Sequence, residues 1–247
     1  MPLLFRNFLF LLPFAAVCTM PAMTEEPIRI LCIGDSITQG GRADRDEFTY
    51  RWPLFGMLKD AGVNFDFIGS RQRGLQDGAH WPDHNGIPFD PDHEGYYGAK
   101  TAFVRDRIRE VLPGLTSPDI ALIHLGTNDQ NAGDPAAQVV NPLADIIGQL
   151  RAKNPNVIIL VGHLNLKDGA ALKIRPLVEQ MAADLNTKES PVIAVHHYKD
   201  WIEMPSATNT DTFDWVHPNP KGQRKMAQAW FDAMKPFLRG AGPGSSR

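Results

Sequence analysis

The chain has 247 residues, 43% of them hydrophobic and 21% charged, with a formal net charge of −3. This is a globular composition, long enough to bury one sizeable core. No basic stripe runs through it, which excludes nucleic acid as a partner class.

Taken in order, the chain begins with Arg6 ahead of an apolar run from Phe8 to Cys18. That is the pattern of a secretory signal peptide over residues 1–23, and the run is shorter than the ~20 residues of a spanning helix. Secretion or periplasmic export is expected, without stable membrane insertion. Ala15-Ala16-Val17-Cys18 makes a poor lipoprotein box, so export is preferred to lipid anchoring through Cys18. Loss of Cys18 leaves Cys32 alone, a small buried hydrophobe with no disulfide partner.

Ile28, Ile30, Leu31, Cys32 and Ile33 form an apolar run that reads as a buried strand of a parallel sheet. Gly34-Asp35-Ser36 then makes a tight turn, and Ser36 falls where open α/β sheets bind ligands. A helix is expected from Tyr50 to Ala61, with Pro53 in its first turn and Phe55 and Leu58 on one face. Val63 to Ile68 alternates apolar and polar residues as a strand. Gly69 to Gly98 has no period but is rich in Gly, Pro, His, Asp and aromatic residues, the character of an ordered, functional loop. Ala99 to Leu112 reads as a helix, Asp119 to Leu125 as a strand ending in Gly126-Thr-Asn-Asp129, and Ala136 to Lys153 as a helix that Pro142 kinks. A strand over Val157 to Val161 ends in Gly162-His163. A helix over Ala170 to Thr187 carries an interior Pro176, and Pro191 to His196 is the last strand. Asn219-Pro220 pairs a capping residue with proline at the first helical position, and the final helix turns Met226, Trp230, Met234 and Phe237 inward. Five strands alternating with helices predict a single three-layer α/β/α sandwich on a parallel sheet over residues 24–239, with a flexible Gly/Ser/Pro-rich tail over 240–247.

In such a sheet the strand ends gather at one edge, bringing Ser36, Gly126 to Asp129 and His163 together. A serine hydroxyl needs a base within hydrogen-bond reach and a third group that orients the base. Of the eight histidines, His217 has the best setting, because Asp214-Trp-Val-His217 puts a carboxylate three residues before an imidazole. Acyl transfer also needs donors for a developing oxyanion. The Asn128 side chain and the backbone N–H of Ser36 qualify, and Gly98 lets backbone approach closely.

Gly34-Asp35-Ser36-Ile37, the glycine of Glu94-Gly-Tyr-Tyr-Gly98, Gly126-Thr-Asn128-Asp129 and Asp214-Trp-Val-His217-Pro-Asn resemble, in order, the blocks of the SGNH (GDSL) hydrolases. The resemblance covers about Ile28 to Leu238. It implies a flavodoxin-like five-stranded sheet, Ser36 as nucleophile, His217 as base and then acid, and Asp214 as its orienting partner. The oxyanion hole would comprise Ser36, Gly98 and Asn128, with no metal and no organic cofactor. Asp90 to Gly98, Phe65 to Ser70 and Asp214 to Gly222 further resemble acetyl xylan esterases of carbohydrate esterase family 3. Those enzymes usually carry Trp after the block glycine, where this chain has Ala99.

The reading is therefore a secreted, monomeric serine esterase acting on O-acetyl groups of a carbohydrate, with Asp35, Tyr97, His163 and Asn165 lining the substrate. A lysophospholipase, aryl esterase or thioesterase of the same superfamily is the second reading. A non-catalytic carbohydrate-binding protein is the third, since fold does not dictate function. His124, His196 and His197 read as structural. Asp90, Asp92, His93 and Glu94 match no ligand motif and read as shaping the loop.

Overall fold

The computed structural model describes residues 26–77, 79–129, 133–167 and 169–238. The expected signal peptide with Cys18, and the expected tail, lie outside them. The elements are β1 (Ile28–Gly34), α1 (Ser36–Gln39), α2 (Arg51–Asp60), β2 (Phe65–Ile68), β3 (Glu94–Gly95), α3 (Thr101–Val111), β4 (Ile120–His124), α4 (Asn141–Lys153), β5 (Ile158–Gly162), α5 (Gly169–Leu185), β6 (Val192–Val195) and α6 (Pro220–Met234). Five strands run parallel in the order β2-β1-β4-β5-β6, the flavodoxin-like arrangement.

Side chains alternate across each strand, and the two faces bury separate cores. Leu31, Ile33, Ala121, Ile123, Ile159 and Val161 pack against α3, α4 and α5. Ile30, Cys32, Ile120, Leu122 and Leu160 pack against α2 and α6, where Phe55, Met226 and Trp230 are buried. Burying a side chain of this size contributes roughly 1.5–3 kcal/mol, so the strands β1, β2, β4, β5 and β6 are each anchored from both sides.

The structure departs from the expected elements at two places. β3 was not foreseen: β2 stops opposite Leu31, and Glu94 and Gly95 take over the same edge of β1 opposite Ile33 and Gly34. Two residues carry no readable period. The helix expected over 136–153 begins instead as a π-helical turn, Ala136–Val140, before α4. The Asn141 N–H bonds Ala136 O five residues back, and this wide turn delivers Pro142 to the first turn of α4, where its missing N–H is tolerated.

From β1 the chain passes to β2 on one side and later to β4 on the other. The crevice between the carboxyl ends of β1 and β4 is therefore the switch point of the sheet, where ligands of such folds bind.

Candidate active site

Ser36 is held by the turn that ends β1. A Cβ at Gly34 would lie 2.1 Å from Thr38 Oγ1 and 2.7 Å from the His124 carbonyl, so only glycine lets the chain reverse this tightly. Asp35 caps the short helix α1, its Oδ1 accepting from Ile37 N at 2.9 Å, which makes Ser36 the first helical residue.

His217 arrives from the other end of the chain, in a turn folded around one carboxylate. Asp214 Oδ1 accepts from the backbone N–H of His217 (2.8 Å) and of Val216 (3.3 Å). Trp215 takes a left-handed φ of 73° between them. The same carboxylate meets His217 Nδ1 at 2.9 and 3.0 Å, and His217 Nε2 lies 3.0 Å from Ser36 Oγ. Immediately after, Asn219 caps α6 by accepting from Lys221 N and Gly222 N.

Two residues that the sequence did not single out stand behind Asp214. Arg45 Nη1 donates to Asp214 Oδ2 at 2.8 Å, and its Nε donates to buried Glu47 at 2.7 Å. The guanidinium also lies over Phe213, 4.7 Å from the ring centroid. Partial burial pushes the Asp214 carboxyl up, but the His217 N–H, Arg45 and the imidazole outweigh it and hold it at about 2. Asp214 is thus ionised throughout the neutral range, as a carboxylate facing an imidazolium must be.

The opposite wall is built from the loops after β3 and β4. Asn128 sits in the turn Thr127–Asp129, and its Nδ2 donates to Ala99 O at 2.9 Å. An amide nitrogen carries a second N–H for another acceptor. Gly98 has a φ of 72°, a conformation that costs a side-chain-bearing residue roughly 1–2 kcal/mol. Asp129 ties the two loops together by accepting from Thr101 N and Oγ1. Gln39 joins α1 to the same wall, accepting from Tyr97 N at 2.7 Å. The Tyr97 ring stacks on His217 at 5.4 Å and 19°.

Asp35, expected to line substrate, is instead fully buried beneath the Ser36 turn, capping α1. Burial pushes its carboxyl up to about 7, against the opposing pull of the Ile37 N–H and the Thr127 hydroxyl.

His163 and Asn165, expected to line substrate, are buried. His163 Nε2 meets Glu179 at 2.8 Å. Asn165 Oδ1 lies 3.3 Å from His124 Nε2, and its amide donates to the Met226 sulfur. His196 Nε2 shares the same Glu179 oxygen at 2.5 Å. His163, Glu179 and His196 thus form a cluster with donor atoms within 4.8 Å of one another, the one such group of metal-ligand type among the described residues. It shares no residue with the Ser36–His217–Asp214 line. Asp90, Asp92, His93 and Glu94 do not converge. Asp90 accepts from Phe67 N, Asp92 from Gln72, His93 from Gly95 N, and Glu94 from Ser70 N and Tyr96 Oη. These bonds shape the loop. Among the described residues no helix is long and apolar enough to cross a membrane.

A family model described as a GDSL-like lipase/acylhydrolase matches residues 32–225. A multidomain esterase of Ruminococcus flavefaciens is 28% identical over 255 residues, covering 94% of this chain and 31% of that protein, so the chain spans about a third of that relative's length. Among solved structures, a carbohydrate esterase of family 3 from Talaromyces cellulolyticus superposes with a TM-score of 0.69 at 27% identity, over 85% of this chain and 97% of the other. A family 3 carbohydrate esterase from Clostridium thermocellum gives 0.69 at 26% identity, over 88% and 100%.

Proposed function

The chain belongs to the GDSL-like lipase/acylhydrolase family, and from that premise we propose that it removes O-acetyl groups from a carbohydrate through an acyl-serine intermediate. It is a serine hydrolase of carboxylic esters. The observation that carries the mechanism is the unbroken line from Ser36 Oγ to His217 Nε2 (3.0 Å) and from His217 Nδ1 to Asp214 (2.9 Å). A serine, an imidazole and a carboxylate in this order are a nucleophile, its base and the group that keeps the base in the right tautomer.

Ser36 Oγ attacks the acetyl carbonyl as its proton passes to His217 Nε2. The carbonyl π electrons move onto oxygen, and the N–H groups of Ser36, Gly98 and Asn128 Nδ2 hold that oxyanion. The anion collapses, the sugar oxygen leaves with the proton from His217, and acetyl-Ser36 remains. Water, deprotonated by His217, then attacks the acyl group and releases acetate. Asp214 stabilises the imidazolium in both halves, and Arg45 and Glu47 position Asp214. The carbohydrate substrate is supported by likeness to the family 3 carbohydrate esterases and by the polar, aromatic character of the loop between Gly69 and Gly98. Export through residues 1–23 belongs to the same proposal, since it delivers the enzyme to polymeric glycans.

The test is acetate release from acetylated xylan, beside p-nitrophenyl acetate and a lysophospholipid, with Ser36→Ala as control. Release from the polysaccharide that Ser36→Ala abolishes is expected. Turnover of the small ester or the lipid alone would leave the serine chemistry and remove the carbohydrate.

A further inference from the structure

We propose that the cleft beside Gly98 is a subsite for a carboxylate-bearing sugar, so that the acetyl ester is taken preferentially from a uronate-containing glycan. This rests on the carbohydrate reading above and names the substrate more narrowly.

The cleft encloses about 780 Å³, within the ~300–1,000 Å³ of small-molecule sites. It adjoins the oxyanion side of the reaction centre. Tyr97, Gly98 and Ala99 line it, and they are the residue stacked on His217, the proposed oxyanion donor, and the residue whose carbonyl binds Asn128. A glycan whose acetyl group reaches Ser36 therefore lays a neighbouring sugar in this cleft.

The cleft is cationic. Arg71, Arg73 and Lys100 line it against one carboxylate, Asp77, three positive charges less one negative, on a chain whose net charge is −3. Among the described residues neither Arg71 nor Lys100 has a carboxylate within 4.0 Å. Arg73 has only Asp77, at 3.8 Å, and both side chains are almost fully exposed. Such a pair is worth about 0–1 kcal/mol and gives way readily to a ligand. Arg71 is the better built of the three. Its guanidinium is held over the Tyr96 ring at 4.6 Å, and its buried Nε has no hydrogen-bond partner among the described residues. A guanidinium plane fixed against an aromatic ring, with no carboxylate of its own among the described residues, matches a planar carboxylate, which takes two parallel N–H bonds from arginine. A walled cleft of one sign also concentrates substrate of the opposite sign. Phe103, 52% exposed, adds an apolar face to the same lining, suited to the C–H face of a sugar ring.

The experiment compares kcat/KM for acetate release from acetylated glucuronoxylan with that from the same polymer stripped of its uronic acid by an α-glucuronidase. The wild-type enzyme should prefer the uronate-bearing polymer by about tenfold, the factor expected for one charge-assisted hydrogen bond. The preference should reside in KM and shrink as sodium chloride is raised. In Arg71→Gln, and separately in Arg73→Gln/Lys100→Gln, the ratio between the two polymers should fall toward one. The double variant alters only exposed side chains, so it tests the subsite even where Arg71→Gln unfolds. Equal rates on the two polymers by the wild-type enzyme, or variants that keep the full ratio, would overturn the subsite while the carbohydrate reading stood. Release from neither polymer, with p-nitrophenyl acetate still turned over, would overturn the carbohydrate reading and the subsite with it.

Discussion

Asn128 spends one amide proton on the Ala99 carbonyl, a bond that aims the side chain before any substrate arrives. Preorganised donors of this kind are where much of the rate of acyl transfer originates, and losing one costs roughly 10²–10³ in turnover. Asn128→Ala should therefore show kcat reduced by that factor while its circular dichroism and melting temperature stay close to wild type. Arg45 acts one step further back. Arg45→Gln removes the charge-assisted bond to Asp214, and a loss of about tenfold in kcat with little change in KM is expected. A change confined to KM would assign Arg45 to substrate instead. Asp35 makes a prediction of a different kind. Burial pushes its carboxyl up to about 7, so the folded chain holds a proton that the unfolded chain releases near pH 4. That contribution to stability is complete below about pH 4 and is lost as the pH rises to about 7. Asp35→Asn is neutral throughout and keeps an oxygen for the Ile37 N–H. Its melting temperature relative to wild type should climb between pH 5 and pH 8, and a constant offset would contradict the buried-charge account.

At the scale of elements, α6 matters because it starts three residues after His217. Asn219 accepts two backbone N–H bonds at its first turn, and replacing such a cap by alanine costs about 1 kcal/mol. In a domain of this size Asn219→Ala should lower the melting temperature by about 2–4 °C, read by calorimetry. This cap was legible in the sequence as Asn219-Pro220, and so were the five long strands, because continuous apolar runs and helical periods carry their own signal. β3 was not, being two residues long. The π-helical turn before α4 was not, since Pro142 marks a disturbance without saying how the backbone absorbs it. Ser36, Asp214 and His217 could be read from local motifs that need only a few neighbouring residues. Arg45 could not, because 169 positions separate it from Asp214 and no local pattern links them. His163 and Glu179 are only 16 positions apart, but one follows β5 and the other lies on α5, and no local motif pairs a strand end with a helix side chain at that spacing.

The molecule as a whole is a sheet clamped between two independent cores, with its proposed reacting groups drawn from both ends of the chain. Ser36 and His217 stand 181 positions apart and 3.0 Å from one another. Ser36 leaves β1, which is paired on both sides by β2 and β4, and His217 leads into α6, which must dock beside α2 to close the second core. Bringing such distant segments together sacrifices chain entropy that short-range contacts never recover, and folds dominated by such pairings assemble slowly. Catalysis is therefore a reporter of completion. During refolding from denaturant, helix signal can return while the carboxyl-terminal helix is still undocked, but hydrolysis cannot. Regain of activity should trail or equal every spectroscopic phase, and neither piece of a chain cut between residues 40 and 210 should turn over an ester alone.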